Sequence, residues 1–229
     1  MKRQQQAGVI IVAAGESQRM GDVDKVLALL GGRPVLARVI DVFEQYRAIS
    51  QIVAVVTEKN VARVRQLVAA EGWAKVTEIC PGGKRRQDSV AAGLSRLANC
   101  DWVIIHDGAR PLVTEELISR GLAEARETGA AVAAVPVTDT VKIAGEDRIV
   151  RETPPRDSLW AVQTPQVFRY DIINEAYRQV TTEVTDDASL VERLGYRVKL
   201  YMGAYDNIKI TTGDDLTLAE VLWQKHDRK

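Results

Sequence analysis

Residues 9–25 read VIIVAAGESQRMGDVDK and contain the most informative pattern of the chain. Four β-branched residues followed by Ala13 predict a buried strand, which passes through small residues into a polar loop. Comparable apolar strands alternate with amphipathic helices along most of the chain. This alternation predicts an α/β fold, a Rossmann-like and mostly parallel sheet with helices on both faces.

The alternation breaks at about residues 137–156, which are mostly polar. Two short runs typical of strands, residues 140–143 and 148–150, flank Gly145, so we expect a β-hairpin arm that protrudes from a single domain of residues 1–229. Such an arm has an open edge, and pairing with a second copy of the chain would cover it. A homodimer through the arm is therefore expected, and folding of the arm onto its own chain is the alternative.

Three local predictions concern segments that carry site residues. The turn at residues 81–83 opens a helix predicted over Arg86–Leu97, because its apolar residues share one side. A strand is predicted near Trp160–Gln163. The apolar neighbours of Lys209 predict another strand near Ile208–Thr211.

The composition excludes some classes of function. The 229 residues include 31 basic and 31 acidic side chains, so the net charge is +0 and no overall field attracts nucleic acid or an anionic membrane. No apolar run approaches the roughly 18 residues of a membrane helix. Neither nucleic acid nor a membrane is expected as a partner. Cys80 and Cys100 form no close pair, and no secretory signal is evident, which favours a cytoplasmic location.

The loop after the first strand is the first candidate for a ligand site, because ligands bind beyond the carboxyl ends of parallel strands. Ala13, Ala14 and Gly15 let a base or a phosphate approach the backbone, whose N–H groups can form a concavity for anions. Arg19 and Lys25 add two cations, which suit a triphosphate. Such residues are common in any surface loop. The prediction of a ligand site therefore rests on their order, which is a strand, a turn of small residues, Arg and then Lys. The loop matches neither a Walker loop nor G-x-G-x-x-G.

Two further motifs also follow apolar strands. Residues 81–90 read PGGKRRQDSV; Gly83 permits a ligand to approach the backbone closely, and Ser89 could hydrogen-bond the edge of a base. The alternative is that the segment is only a structural turn, followed by a helix whose first turn is charged. Asp107 ends the next strand, where it could hold Mg²⁺ directly or through water, or simply form a turn. His106 is interpreted as a structural residue.

These motifs resemble a known family. Residues 13–15, residues 19–21 and Lys25 look like the signature loop of nucleoside-diphosphate-sugar pyrophosphorylase-like transferases, and the later motifs resemble the 2-C-methyl-D-erythritol 4-phosphate cytidylyltransferases of the non-mevalonate isoprenoid pathway. Ser17, Asp24 and Val26 depart from the family pattern. The resemblance implies a nucleotide-diphospho-sugar transferase fold and a Mg²⁺-dependent transfer of CMP from CTP to the phosphorylated polyol, which releases pyrophosphate.

The resemblance also implies roles for individual residues. Arg19 and Lys25 would stabilise the transition state, and Arg156 and Lys209 would bind the acceptor phosphate. Thr140 would reach the acceptor site across a dimer interface. The remaining nucleotide contacts would be Ala13, Ala14, Gly15, Gly83, Ser89 and Gly108, and the remaining acceptor contacts would be Asp107, Arg110, Thr164 and Thr185, with Asp107 also the metal ligand.

Several alternatives stay open from sequence alone. A sister cytidylyltransferase would act on ribitol 5-phosphate, and a sugar-1-phosphate nucleotidyltransferase would use UTP, GTP or dTTP. A non-catalytic nucleotide-sensing domain would bind CTP and release no pyrophosphate, although paired transition-state cations disfavour it. A glycosyltransferase is disfavoured because only Asp107, and no Asp-x-Asp motif, stands at the strand end.

Overall fold

The computed structural model describes residues 5–15, 24–180 and 182–226. The strands, in chain order, are β1 (Ala7–Ala13), β2 (Leu29–Leu30), β3 (Arg33–Pro34), β4 (Ile49–Val56), β5 (Val76–Pro81), β6 (Trp102–Asp107), β7 (Ala130–Pro136), β8 (Ile143–Ala144), β9 (Val150–Glu152), β10 (Trp160–Arg169) and β11 (Lys199–Met202). The helices are α1 (Val35–Gln45), α2 (Val61–Glu71), α3 (Arg86–Leu94), α4 (Glu115–Thr128), α5 (Tyr170–Gln179), α6 (Ala188–Arg193) and α7 (Gly213–His226).

Seven strands form the central sheet in the order β11-β7-β10-β6-β1-β4-β5. The pairs formed by β1 with β4 and β6, by β4 with β5 and by β7 with β11 are parallel, whereas β10 runs antiparallel to both of its neighbours. The predicted α/β fold with a mostly parallel sheet is therefore confirmed. The carboxyl ends of β1, β4, β5 and β6 consequently meet at one edge.

Strand β1 shows why the sheet is covered on both faces. Val9 and Ile11 point into one apolar cluster with α1 and α4, and Ile10 points into a second cluster with α3, α5 and α6. All three side chains are fully buried. Successive strand residues alternate between faces, so a continuous run of apolar residues needs a helical layer on each side.

Three of the predicted segments differ in the structure. Ile208–Thr211 belongs to no strand of the described chain, because its apolar residues pack in a small cluster beside α7 rather than on the sheet. The helix predicted to reach Leu97 ends at Leu94 and continues as a turn closed by a backbone bond from Leu97 to Leu94. Strand β10 extends six residues beyond the predicted end at Gln163.

The arm contains the predicted hairpin. Strands β8 and β9 pair antiparallel, and Gly145 lies between them. Val141, Ile143, Ile149 and Val150 are exposed hydrophobic residues of this arm. The hairpin is thus confirmed, whereas its protrusion from the domain as an arm and its pairing with a second copy stay predictions.

No helix in the described part of the chain is both long enough and apolar enough to cross a membrane.

Candidate active site

A cavity of about 720 Å³ lies at the edge where β1, β4, β5 and β6 end. Its volume is that of a typical small-molecule site. Both glycine-containing loops predicted from the sequence contribute to its walls. The described lining residues are Val12, Ala13, Ala14, Gly15, Lys25, Val26, Thr57, Glu58, Gly82, Gly83, Lys84, Arg85, Arg86, Ser89, Asp107, Ala109 and Lys209.

The turn after β5 is pressed against the end of β1. A Cβ atom added to Gly82 would lie 2.3 Å from the Cβ of Ala14, so only glycine allows this approach. The Ser89 hydroxyl accepts a hydrogen bond from the Gly83 N–H at 3.2 Å and donates to the Arg85 carbonyl at 3.2 Å. Ser89 therefore shapes the glycine turn from inside the cavity wall.

Gly108 was also predicted to contact the nucleotide, but it is not among the lining residues. A Cβ atom added to it would lie 2.9 Å from the Cβ of Ala13, at the point where the ends of β6 and β1 pack. The glycine in this structure serves that close packing.

A second cavity of about 420 Å³ adjoins the first. It gathers three residues predicted for the acceptor, Arg110, Thr164 and Thr185, and it shares Arg86, Asp107 and Lys209 with the first cavity. Its other described lining residues are Val162, Gln163, Gln166, Asp186, Ser189 and Glu192.

Asp107 stands at the wall between the cavities, surrounded by cations. Its Oδ2 lies 3.0 Å from Lys209 Nζ and 3.3 Å from Arg110 Nε, and its Oδ1 lies 3.5 Å from Arg86 Nε. Burial alone would raise the pKa of Asp107, but Lys209, Arg86 and Arg110 outweigh burial and hold it below its ordinary value. The carboxylate is therefore ionised. We call these four residues the Asp107 wall.

A chain of hydrogen bonds fixes the strand end beneath the Asp107 wall. The Asp107 N–H donates to Thr164 Oγ1 at 3.0 Å, and Thr164 Oγ1 lies 3.1 Å from His106 Nδ1. His106 Nε2 lies 3.1 Å from the Arg110 carbonyl. Burial lowers the pKa of His106 to about 4. A neutral imidazole that accepts at Nδ1 and donates at Nε2 satisfies every bond, in agreement with the structural role predicted for His106.

Lys209 reaches the Asp107 wall from an extended segment rather than from the predicted strand. The Ile210 N–H donates to the Ala109 carbonyl at 2.8 Å, and Arg110 Nη1 donates to the Asn207 carbonyl at 2.8 Å. Asn207 is fully buried, and its amide donates to the Thr164 carbonyl at 2.8 Å. These bonds dock the segment against the loop after β6.

The sequence reasoning missed four residues of the site. Arg86 lies in both cavities, Thr57 lines the first with a buried hydroxyl that has no hydrogen-bond partner among the described residues, and Gln163 and Asn207 brace the second. Arg86 had a signal, because it opens a helix directly after the Gly82-Gly83 turn. Thr57 had a weaker one, because it follows a parallel strand.

Two predicted residues lie away from both cavities, and a third is not among the described residues. Thr140 and Arg156 are exposed, and neither lines the two cavities. Arg156 Nη1 donates to the Thr138 carbonyl at 3.1 Å. Arg19 lies outside the described residues.

The described residues alone form no metal cage, since they hold no group of three or more His, Cys, Asp or Glu side chains suited to a metal ion. Asp107 nevertheless fits a site completed by a ligand. It is ionised, it lines both cavities, and among the described residues the one polar contact of its Oδ1 is with Arg86 Nε at 3.5 Å. Mg²⁺ is commonly held by one or two carboxylates together with substrate phosphates.

A mostly parallel α/β sheet with a cation-lined cavity at its strand ends, joined to a second charged cavity, is the arrangement expected of a nucleotidyltransferase, which binds a nucleotide polyphosphate beside an acceptor. Comparison with known proteins makes the assignment specific. The sequence profile of 2-C-methyl-D-erythritol 4-phosphate cytidylyltransferase (IspD) matches residues 7–225, and the chain belongs to that family.

Individual relatives agree with the family assignment. A curated 2-C-methyl-D-erythritol 4-phosphate cytidylyltransferase of Dehalococcoides mccartyi is 52% identical over 96% of this chain and 97% of its own. One from Alkaliphilus oremlandii is 45% identical over 96% of each chain. The crystal structure of 4-diphosphocytidyl-2C-methyl-D-erythritol synthase from Anaerococcus prevotii is 31% identical, with a TM-score of 0.86 over 97% of this chain and 100% of that one.

Proposed function

We propose that the two adjoining cavities hold the two substrates of a cytidylyl transfer. The chain transfers CMP from CTP to 2-C-methyl-D-erythritol 4-phosphate and releases pyrophosphate, a step of isoprenoid precursor biosynthesis. The observation that carries the assignment of sites is the wall that the cavities share. Arg86, Asp107 and Lys209 face both, so a phosphate bound in either cavity lies beside the same charged groups.

The first cavity suits CTP. Its described lining includes five cationic residues against two carboxylates, Glu58 and Asp107, so the local charge favours a polyphosphate although the whole chain is neutral. The Gly82-Gly83 turn and residues 13–15 offer backbone groups to a flat base. The buried Thr57 hydroxyl is a further donor for the nucleotide.

The second cavity suits a small phosphorylated polyol. Arg110 and Lys209 supply cations for a phosphate, and Thr185, Asp186 and Ser189 offer oxygen atoms to hydroxyl groups. The Asp107 carboxylate, which the neighbouring cations keep ionised, can accept a hydrogen bond from a polyol hydroxyl. The cavity therefore presents groups for both ends of such an acceptor.

The reaction needs no strong general base in this site. A phosphate oxygen of the acceptor is already anionic and attacks the α-phosphorus of CTP; a new phosphorus–oxygen bond forms, and the bond to the β-phosphate bridging oxygen breaks. Lys25 and Arg19 stabilise the charge that develops on the phosphoryl oxygens. Lys209 and Arg110 orient the attacking phosphate.

Mg²⁺ is proposed as the metal, with Asp107 as its protein ligand and phosphate oxygens completing the coordination. When bound, the ion neutralises charge on the triphosphate and its leaving group. The protein groups around Asp107 keep its carboxylate ionised and oriented.

A homodimer through the arm is proposed to complete the acceptor site. The arm carries exposed Ile143, Ile149 and Val150, which a second copy would cover. Thr140 and Arg156 lie outside both cavities of their own chain, so a role at the acceptor requires that they serve the partner. A cytoplasmic location stays a prediction from the cysteine spacing.

Pyrophosphate release tests the function directly. With Mg²⁺ present, CTP and 2-C-methyl-D-erythritol 4-phosphate should give pyrophosphate, and UTP, GTP and ATP should give little. Ribitol 5-phosphate serves as the matched acceptor. Pyrophosphate release with ribitol 5-phosphate but not with 2-C-methyl-D-erythritol 4-phosphate would show that the acceptor is a different polyol phosphate. CTP binding without pyrophosphate release from any pair of nucleotide and acceptor would indicate a sensing domain.

A further inference from the structure

Arg86 connects the Asp107 wall to a carboxylate that lies behind it. Its Nε lies 3.5 Å from Asp107 Oδ1, and its Nη1 lies 2.7 Å from Asp187 Oδ2. Arg86 stands at the start of α3, whereas Asp187 directly precedes α6. One guanidinium therefore bridges a carboxylate that faces the substrates and a carboxylate that does not.

Asp187 has no evident task at the ligands or in its own helix. It is 1% exposed and is absent from the lining of both cavities. Although it occupies the N-cap position of α6, its side chain makes no capping bond. The cap comes from Asp186, whose Oδ1 accepts from the Ser189 N–H at 3.2 Å. A buried carboxylate without a capping role must be offset by its other partners.

Those partners are Tyr177 and Arg86. The Tyr177 hydroxyl on α5 donates to Asp187 Oδ1. Arg86 Nη1 lies 2.7 Å from Asp187 Oδ2, which is the distance of a close ion pair. The contact therefore depends on the charge of the Asp187 carboxylate.

The charges of this cluster act on one another. Burial raises the pKa of the Asp187 carboxyl, and Arg86 opposes that rise. The Arg86 guanidinium lies between two carboxylates, 2.7 Å from Asp187 Oδ2 and 3.5 Å from Asp107 Oδ1. It is therefore attracted to both carboxylates at once. Its position depends on the pull from behind as well as on Asp107.

We propose that Asp187 is a positioning residue for the transfer: braced by Tyr177, it holds the Arg86 guanidinium at the wall that the two cavities share, and Arg86 in turn orients Asp107. The proposal rests on the proposed function. Without Asp187, the long Arg86 side chain would gain rotamers and would turn towards a bound phosphate in either cavity. The reacting phosphates would then be held in more than one arrangement.

Asp187→Asn tests the proposal because it keeps the shape and the acceptor for Tyr177 while it removes the charge. We expect kcat/KM to fall roughly 10- to 100-fold, since small misplacements of substrate-positioning groups cost that much. Asp187→Asn is then combined with Arg86→Met. If Asp187 acts through Arg86, adding Asp187→Asn to the Arg86→Met variant should cause no further loss of kcat/KM.

Glu175→Gln is the matched control. Glu175 lies on α5, the helix that also carries Tyr177, and it lines neither cavity. Its carboxylate accepts a hydrogen bond from the Tyr196 hydroxyl. The variant should keep kcat/KM within twofold of the native chain, even where thermal unfolding shows a lower Tm. This control separates a general loosening of α5 from loss of the Arg86 position.

Two results would overturn the proposal. One is an Asp187→Asn protein with lowered Tm and native kcat/KM, which would assign Asp187 a structural role alone. The other is a double variant whose loss of kcat/KM equals the product of the losses caused by Asp187→Asn and Arg86→Met alone. If Asp187→Asn does not fold, Tyr177→Phe replaces it, with a loss of about two- to fivefold expected in the native background and none with Arg86→Met. Pyrophosphate release by the native chain tests the proposed function separately.

Discussion

The Asp107 wall and the arm both carry residues predicted for the acceptor, but the two regions are built in different ways. In the wall, Asp107 is buried and paired with three cations of the same chain. In the arm, Thr140 and Arg156 are exposed, and Arg156 donates a hydrogen bond to the Thr138 backbone carbonyl at 3.1 Å. One chain can therefore hold the wall residues in place by itself. The positions of Thr140 and Arg156 depend instead on the protein surface that covers the arm.

The largest effect is expected for Asp107→Asn, which tests the wall. The substitution leaves three cations facing one another around a neutral amide, so the free energy of unfolding should fall by about 3–5 kcal/mol. Activity should fall with it, because Asp107 faces both cavities. Urea denaturation at neutral pH measures the first effect and pyrophosphate release the second.

The pH dependence provides a check on the same variant. The pKa of folded Asp107 lies below its ordinary value, so its contribution to stability is complete above about pH 5 and is lost as the pH falls through the lowered pKa. The difference between native chain and variant should shrink only at acid pH. Asp171→Asn, which affects an exposed pair with Arg169, should cost under about 1 kcal/mol. An equally small cost for Asp107→Asn would contradict the account of the wall.

The next effect is expected for Lys25→Ala, which removes a cation from the lining of the first cavity. Loss of one transition-state cation should lower kcat on the order of 10²–10³-fold and leave the unfolding free energy nearly unchanged. Arg19→Ala should behave alike. Lys59→Ala is the control, because Lys59 is exposed and does not line the cavity. Near-normal turnover by Lys25→Ala would refute its catalytic role.

The third experiment asks whether the arm serves a second copy. Arg156→Ala and Lys209→Ala should each lose about 10- to 100-fold in kcat/KM, because each removes a cation proposed for the acceptor phosphate. When the two variants are mixed and exchange subunits, one site of each mixed dimer has both native residues. Activity should return to about a quarter of the native value. No recovery, despite exchange measured by labelled subunits, would place Arg156 with its own chain.

The fold and the first cavity could be predicted because they depend on local patterns. The apolar run in β1 requires burial on both faces, and the parallel strand ends place residues 13–15, Lys25 and Asp107 at one edge. The glycine turn before Arg86 follows β5, so it also lies at this edge. These features follow from strand direction and side-chain alternation.

The charged contacts of the wall could not be predicted in the same way. Lys209 meets Asp107 across 102 positions of sequence only because the Ile208–Thr211 segment docks on the loop after β6 instead of forming a strand. The alternating apolar residues of this segment fit a strand of the sheet and a docked extended segment equally well, so the sequence does not distinguish the two. Likewise, Asp187 and Arg86 are 101 positions apart in the sequence, and only the folded chain brings them to 2.7 Å from each other.

The smallest effect is expected for Lys142→Ala, which tests how the arm keeps its shape. Lys142 Nζ donates to Thr153 Oγ1 at 2.8 Å, and both residues are exposed. An exposed bond of this kind contributes little, so the unfolding free energy should change by less than about 0.5 kcal/mol and kcat/KM by less than about twofold. Denaturant unfolding and steady-state kinetics measure the two changes. A tenfold loss of kcat/KM would mean that bonds within the arm position Arg156, and the arm would then resemble the wall in being organised by its own chain.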